Sequence, residues 1–227
     1  ELATLAQAME GASVAVGFQL SEAAYASKSF LFSSQVTLPT GIRFNDDGSK
    51  MYLVGRISDS IFQYSLSTAF DLSTASYDSV SFSVASQEGQ PSGLFFKSDG
   101  AKLYVIGFLT GAVYQYSLST AWDLSTASYD SVFFYVSSQV TYPSDIAFSS
   151  DGSKMYALDS SSRGVYQYTL STAWDLSTAS YASLSYTTAE AGPQGLAFNN
   201  DGTGLFIANS SNDSVYLYNL STAWDIS

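Results

Sequence analysis

The sequence predicts an all-β protein, a β-propeller of four-stranded blades in four copies, forming either a closed four-bladed ring or part of a larger ring. Two observations carry this expectation. Pro39, Pro91, Pro143 and Pro193 each open a run of the form P-x-G/D-I/L-x-F-x-x-D-G, at steps of 52, 52 and 50 residues. Each copy then carries short aromatic and β-branched runs separated by turn signals. A period of about 40 to 50 residues holding about four short strands is the pattern of a propeller blade.

The second copy shows each element in order. Pro91 to Asp99 reads as a strand, with Leu94 and Phe96 on one face and Phe95 on the other. Asp99-Gly100 is a hairpin signal, because both residues tolerate positive φ. Lys102 to Ile106 returns, and a loop from Gly107 to Gly111 follows. Val113 to Leu118 is the third strand, Ser119 to Tyr129 a long connection around Trp122, and Ser131 to Val136 the fourth strand. Large side chains on both faces suit blades packed face against face. Asp47-Gly48, Asp151-Gly152 and Asp201-Gly202 mark the same turn in the other copies.

The repeat covers residues 18–227, and residues 1–17 form an arm outside it. In that arm Leu2, Leu5 and Met9 have helical spacing and Gly11 is a stop signal, so a short helix is expected there. Such an arm either packs on the ring or docks on another subunit. Tyr25 to Phe32 matches Tyr77 to Val84, the end of a blade, whereas the last copy lacks its fourth strand. Pairing a strand at about 27–34 with the last copy would close the ring and remove two exposed edges.

Composition excludes several functions. The net charge is −12, from 8 basic and 20 acidic residues. Nucleic-acid binding and adhesion to an anionic membrane both need clustered Lys and Arg, so neither is expected. No apolar stretch is long enough to span a bilayer, and no secretion signal opens the chain. Cys is absent, so no disulfide framework exists. His is absent as well, which removes His-based triads, His metal sites and His pH switching.

The run P-x-G-I/L-x-F-x-x-D-G-x-K-M/L-Y, followed by a V-Y-Q-Y strand, resembles the repeats of bacterial YVTN/NHL-like and lactonase-like β-propellers across residues 18–227. The S-T-A-W-D-L-S-T-A-S-Y connection is similar to repeat-rich proteins of marine bacteria and phages. The lactonase resemblance implies a divalent metal in the central channel, held by Glu, Asp and Asn. In this chain the strand starts facing the channel carry Thr40, Ser92, Ser144 and Gln194, with Asp145 the only acid. No metal and no other cofactor is therefore expected.

The repeated motifs read as scaffold. A calcium loop needs several oxygen ligands and a closing Glu, which the Asp-Gly turns lack. Asp71, Asp123, Asp175 and Asp225 follow an aromatic in every copy and are expected to hold backbone N–H groups. Phe70, Trp122, Trp174 and Trp224 are expected to pack between blades, the alternative being a stacking platform for sugars. Glu88 and Glu190 stand outside the pattern as loop acids; a glycosidase-like carboxylate pair is the alternative.

Variation between copies concentrates in two loop sets expected on one face. The candidate ligand-binding residues there are Arg56, Asp59, Glu88, Phe108, Asp159, Arg163, Glu190, Asn212 and Asp213. Near-identical copies suggest few site-specific demands. The sequence therefore predicts a non-catalytic binding or structural module at a cell or virion surface, recognising a protein or glycan, with no catalytic residue. The alternatives are an assembly subunit of a filament or particle, or a homo-oligomer, docked through residues 1–17, and a hydrolase or lyase with a channel site.

Overall fold

The computed structural model describes residues 25–189 and 191–227. The predicted helix at residues 1–17 lies outside the described residues, as does Glu190. Among the described residues fifteen strands form four antiparallel sheets, the blades of a propeller. Blade one holds β1 (Pro39–Phe44), β2 (Lys50–Gly55), β3 (Ser60–Leu66) and β4 (Ala75–Ser83). Blade two holds β5 (Pro91–Phe96), β6 (Lys102–Gly107), β7 (Ala112–Leu118) and β8 (Ala127–Tyr135). Blade three holds β9 (Pro143–Phe148), β10 (Lys154–Asp159), β11 (Gly164–Leu170) and β12 (Ala179–Thr187). Blade four holds β13 (Pro193–Phe198), β14 (Gly204–Asn209) and β15 (Ser214–Asn219).

Turn chemistry fixes the first hairpin of every blade. Gly48, Gly100, Gly152 and Gly202 have φ between 70° and 73°, a region open to glycine at low cost. Asp47, Asp99, Asp151 and Asp201 each accept the backbone N–H two residues on. The glycine has a second role. A Cβ on Gly100 would stand 2.4 Å from the Trp122 ring, and the other three glycines lie equally close to Phe70, Trp174 and Trp224. The aromatic of the long connection therefore closes over the Asp-Gly turn of its own blade.

The connection ends in a 3-10 turn, Leu124–Thr126 in blade two, with Asp123 as its N-cap accepting from Ser125 N at 3.0 Å. Asp71 and Asp175 cap the equivalent turns, and Asp225 accepts from Ser227 N. The fourth strand begins at Ala127, earlier than the Ser131 expected from sequence. A bulge explains the difference. The register shifts between Gln115 and Tyr116, opposite Ser131 with φ 59°, and a bulge breaks the alternation by which a strand is read.

The core lies in the seams between blades. Tyr52, Val54 and Ile61 of blade one pack on Leu94, Leu103 and Tyr116 of blade two. Comparable clusters join blades two and three, and blades three and four. A polar latch repeats at each seam. Tyr52, Tyr104 and Tyr156 donate to the backbone carbonyls of Trp122, Trp174 and Trp224 at 2.5–2.6 Å. Gln63, Gln115 and Gln167 accept from the backbone N–H of Leu124, Leu176 and Ile226. These bonds satisfy backbone groups that the packed connection removes from water.

Candidate functional site at the propeller axis

The four innermost strands differ from one another in few places. After their opening Pro-x they read GIRF, GLFF, DIAF and GLAF. Asp145 stands where the other blades have glycine, and Arg43 where they have Phe95, Ala147 and Ala197. These two departures meet. Arg43 Nη2 lies 3.2 Å from both carboxylate oxygens of Asp145, across 102 residues of sequence. Gly93 of blade two makes room: a Cβ there would stand 2.6 Å from Asp145 Oδ1.

Asp145 touches all four blades. Its Oδ1 accepts from its neighbour Ile146 N at 2.9 Å, and its Oδ2 from Leu196 N of blade four at 3.0 Å. Arg43 also donates to the carbonyls of Ile42 and Ile146. The Asp145 side chain is 8% exposed and that of Arg43 24%. Burial raises the Asp145 carboxyl above its ordinary value, against the opposing pull of Arg43 and two backbone N–H groups. The carboxylate is thus committed on every side and acts as a hub. The guanidinium has five N–H donors in a fixed planar fork, and its side chain is the more exposed member of the pair.

The ring of hydroxyl residues expected at the channel is turned into the protein. Thr40 Oγ1 donates to Pro91 O, Ser92 Oγ to Ile106 O and Ser144 Oγ to Leu158 O. Among the described residues no three acidic, His or Cys side chains converge as a metal would need. A divalent cation takes several oxygen ligands, and the axis offers one carboxylate already paired with Arg43. The lactonase-type metal implied by resemblance does not fit these residues.

Only some of the loop residues singled out from sequence come together. Arg56 donates through Nε and Nη2 to Gln90 Oε1, and its guanidinium lies 5.1 Å from the centre of the Phe108 ring. Phe108 in turn stacks on Tyr142 at 5.1 Å. Glu88 is fully buried rather than an exposed loop acid. It accepts from the backbone N–H groups of Gln90, Leu109 and Thr110 and from the Thr110 hydroxyl, so it shapes the loop that carries Phe108. Asp159 is also fully buried and does the same for its own loop, accepting from Thr141, Ser161 and Ser162 N–H groups.

Asp59, Arg163 and Asp213 share one left-handed turn position, with φ of 46°, 63° and 53°; the fourth residue there is Gly111 at 64°. Arg163 reaches the Ala189 carbonyl, and Asn212 donates to the Tyr216 hydroxyl. The variable-loop residues are therefore largely engaged in building their loops. Arg43, Gln90 and Tyr142 were not singled out from the sequence. A position-by-position alignment of the four inner strands is the signal that finds Arg43.

Residues 42–223 match the family described as Lactonase, 7-bladed beta-propeller. The chain belongs to this family. A search of curated proteins gives no match. Among solved structures, a protein from Bacteroides uniformis ATCC 8492 assigned as a 6-phosphogluconolactonase is 17% identical with a TM-score of 0.57, covering 80% of this chain and 50% of its own. The Pseudomonas aeruginosa periplasmic gluconolactonase is 16% identical with a TM-score of 0.50, at 78% and 48% coverage. Kuenenia stuttgartiensis hydrazine synthase is 18% identical with a TM-score of 0.53, at 86% and 48%. These likenesses establish the fold. The chain spans about half the length of the structures it matches.

Membership in the lactonase family overturns the expectation of a non-catalytic surface module and of a chain without enzymatic activity. The structural, virion and adhesion readings fall with it. The near-identity of the copies misled, because it is a property of strands and connections. Symmetry is broken by single residues on β1 and β9, at the axis where all four blades converge.

Proposed function

We propose that the chain hydrolyses a lactone at the propeller axis, with Arg43 as the electrophilic group and Asp145 as the residue that positions it. The observation that carries this reading is the Arg43–Asp145 pair. It is built from the two charged departures in otherwise similar inner strands, in a chain of the lactonase family. In the reaction a water oxygen adds to the lactone carbonyl carbon. The ring C–O bond then breaks, and the ring oxygen leaves as a hydroxyl after taking a proton. Negative charge develops on the carbonyl oxygen. A guanidinium fixed in place and partly withdrawn from water stabilises that charge without reorganising during the step. Asp145 is too fully bonded to serve as the base while it holds Arg43.

The test is a rate measurement on δ-gluconolactone and 6-phosphogluconolactone, the substrate class suggested by the names of the structural relatives. Ring opening releases a carboxylic acid, so proton release reports it directly. Acceleration over the buffer reaction supports the reading. A rate equal to buffer on both substrates and on a panel of γ- and δ-lactones removes it.

A further inference from the structure

The innermost strands of successive blades run side by side in one direction. Gly41, Gly93 and Asp145 hold matching places and approach closely: a Cβ on Gly41 would stand 3.6 Å from Gly93 Cα, and one on Gly93 2.9 Å from Asp145 Cα. Leu38, Gln90, Tyr142 and Gly192 precede the prolines of these strands and so rim one mouth of the axis. The loop after each second strand joins the same rim, because its first residue donates to the carbonyl of the residue before the proline. These bonds run from Arg56 N to Leu38 O, Phe108 N to Gln90 O, Ser160 N to Tyr142 O and Ser210 N to Gly192 O, at 2.9–3.0 Å.

The rim is apolar on the side of blades one and two. Those blades carry Arg56-Ile57 and Phe108-Leu109 at the loop tip, where blades three and four carry Ser160-Ser161 and Ser210-Ser211. Leu38, Ile57, Leu109 and Tyr142 are 51%, 64%, 63% and 46% exposed. The side chains form a patch rather than scattered tips. Arg56 bonds Gln90 and lies on the Phe108 ring, and Phe108 stacks on Tyr142. Leu109 folds over Gly89, 3.2 Å from the place of a Cβ there. A contiguous exposed apolar patch marks a binding surface.

The patch is also held in place. Glu88 stands where blades one and three have Val36 and Val140, and it is fully buried. Burying a carboxylate is costly unless it is well bonded. Its partners are Gln90 N, Leu109 N, Thr110 N and the Thr110 hydroxyl, all in the two loops that build the patch. A valine at this place serves the fold in the neighbouring blades. What the carboxylate adds is a fixed tip, so that little ordering remains to be done when a ligand arrives.

The patch is continuous with the axial pair. Tyr142 precedes Asp145 by three residues, about 10 Å along an extended chain, and Asp145 holds Arg43. A group attached to a lactone at Arg43 and pointing out of this mouth meets Tyr142 and Phe108. Phosphate suits the patch poorly. Arg56 already bonds Gln90 through Nε and Nη2 and lies on a ring, and the side chains around it are aliphatic and aromatic.

We infer that the substrate lactone carries an apolar arm, an alkyl chain or aryl group, which lies on Phe108, Leu109 and Tyr142 while its carbonyl meets Arg43. The inference rests on the lactone reading of the axis and narrows it to lactones with a hydrocarbon substituent.

The test compares two lactones with the same ring, δ-hexalactone with a methyl arm and δ-dodecalactone with a heptyl arm, each below its solubility limit. The expected result is a kcat/KM at least about tenfold higher for the longer arm, the lower end of what an added apolar group gains in a protein pocket. The variant Leu109→Ser, Tyr142→Gln installs the residues that blades three and two carry at those places, and in it the preference for the longer arm should be lost. Leu109→Ser alone replaces it should the double variant not fold, with the preference reduced. Equal rates on the two lactones overturn the inference and leave the lactone reading standing, whereas hydrolysis of neither removes both. A preference that survives in the folded variant overturns the placement on this rim. Sedimentation of the protein with phosphatidylcholine vesicles, lost in the variant and accompanied by equal rates, would give the rim to a lipid surface and also overturn the inference.

Discussion

Tyr104 donates its hydroxyl to the backbone carbonyl of Trp174 at 2.6 Å, locking blade two to the connection of blade three. Its ring also packs against Phe148 at 4.5 Å. Removing the hydroxyl alone leaves the ring in place and a buried carbonyl unsatisfied. Tyr104→Phe should lower stability by about 1–2 kcal/mol in urea unfolding, with an unchanged denaturant slope. A change below about 0.3 kcal/mol would show that the latch is replaced by water.

Burial raises the Tyr52, Tyr104 and Tyr156 phenols well above their ordinary value of 10. The sign follows from linkage. A phenol whose folded value is raised contributes stability that is complete below pH 10 and is lost as pH climbs toward the folded value. Stability should therefore be flat through neutral pH and fall above pH 10, in a urea series followed by tryptophan fluorescence. A triple Tyr→Phe variant at these positions should show a shallower alkaline fall.

Gly100→Ala tests the closing of Trp122 over the turn. The new Cβ meets both a positive φ of 71° and a ring at 2.4 Å. Strain of this kind costs roughly 1–3 kcal/mol, and Trp122 fluorescence should shift to the red as the ring is displaced. Gly204 has no positive φ and serves as the control; Gly204→Ala should cost less than Gly100→Ala.

Asp71 carries a carboxyl lowered from 3.8 to about 2, held there first by its hydrogen bond from Lys28 and then by Ser73. A depressed carboxyl contributes stability that is present above pH 3.8 and lost as pH falls through about 2. In Lys28→Met the Asp71 carboxyl should titrate closer to 3.8, read by carbon NMR of the side-chain carboxyl. An unmoved titration would place Lys28 away from Asp71 in solution.

The fold was legible because it is written in local chemistry repeated along the chain. Asp-Gly turns, alternating apolar runs and the W-D connection each act within one blade, and copies confirm one another. The fourth-strand boundaries were misplaced because a bulge at Ser79, Ser131 and Ser183 interrupts alternation. The role of Glu88 was illegible for a different reason. A buried carboxylate satisfied by four donors looks in sequence like any loop acid, since its partners are mostly backbone N–H groups. Arg43 and Asp145 are 102 residues apart, and only the convergence of inner strands at the axis brings them together.

Truncating one member of the axial pair should be costly, whereas replacing both should be milder. Asp145→Ala leaves Arg43 without its partner and should lose about 3 kcal/mol. The double variant Arg43→Phe, Asp145→Gly restores the residues that blade two carries at those positions and should lose clearly less, by urea unfolding of both proteins. Equal losses would mean that the inner strands tolerate no repeat-like sequence here.

The most direct measurement of the central claim is lactone hydrolysis by the unaltered protein and by Arg43→Met, each first shown to be folded. The proposed role predicts acceleration over buffer by the unaltered protein and a loss of about 10²–10³-fold in kcat for Arg43→Met, the range for a removed oxyanion donor. Full activity in a folded Arg43→Met protein would contradict the assignment of Arg43 as the electrophilic group.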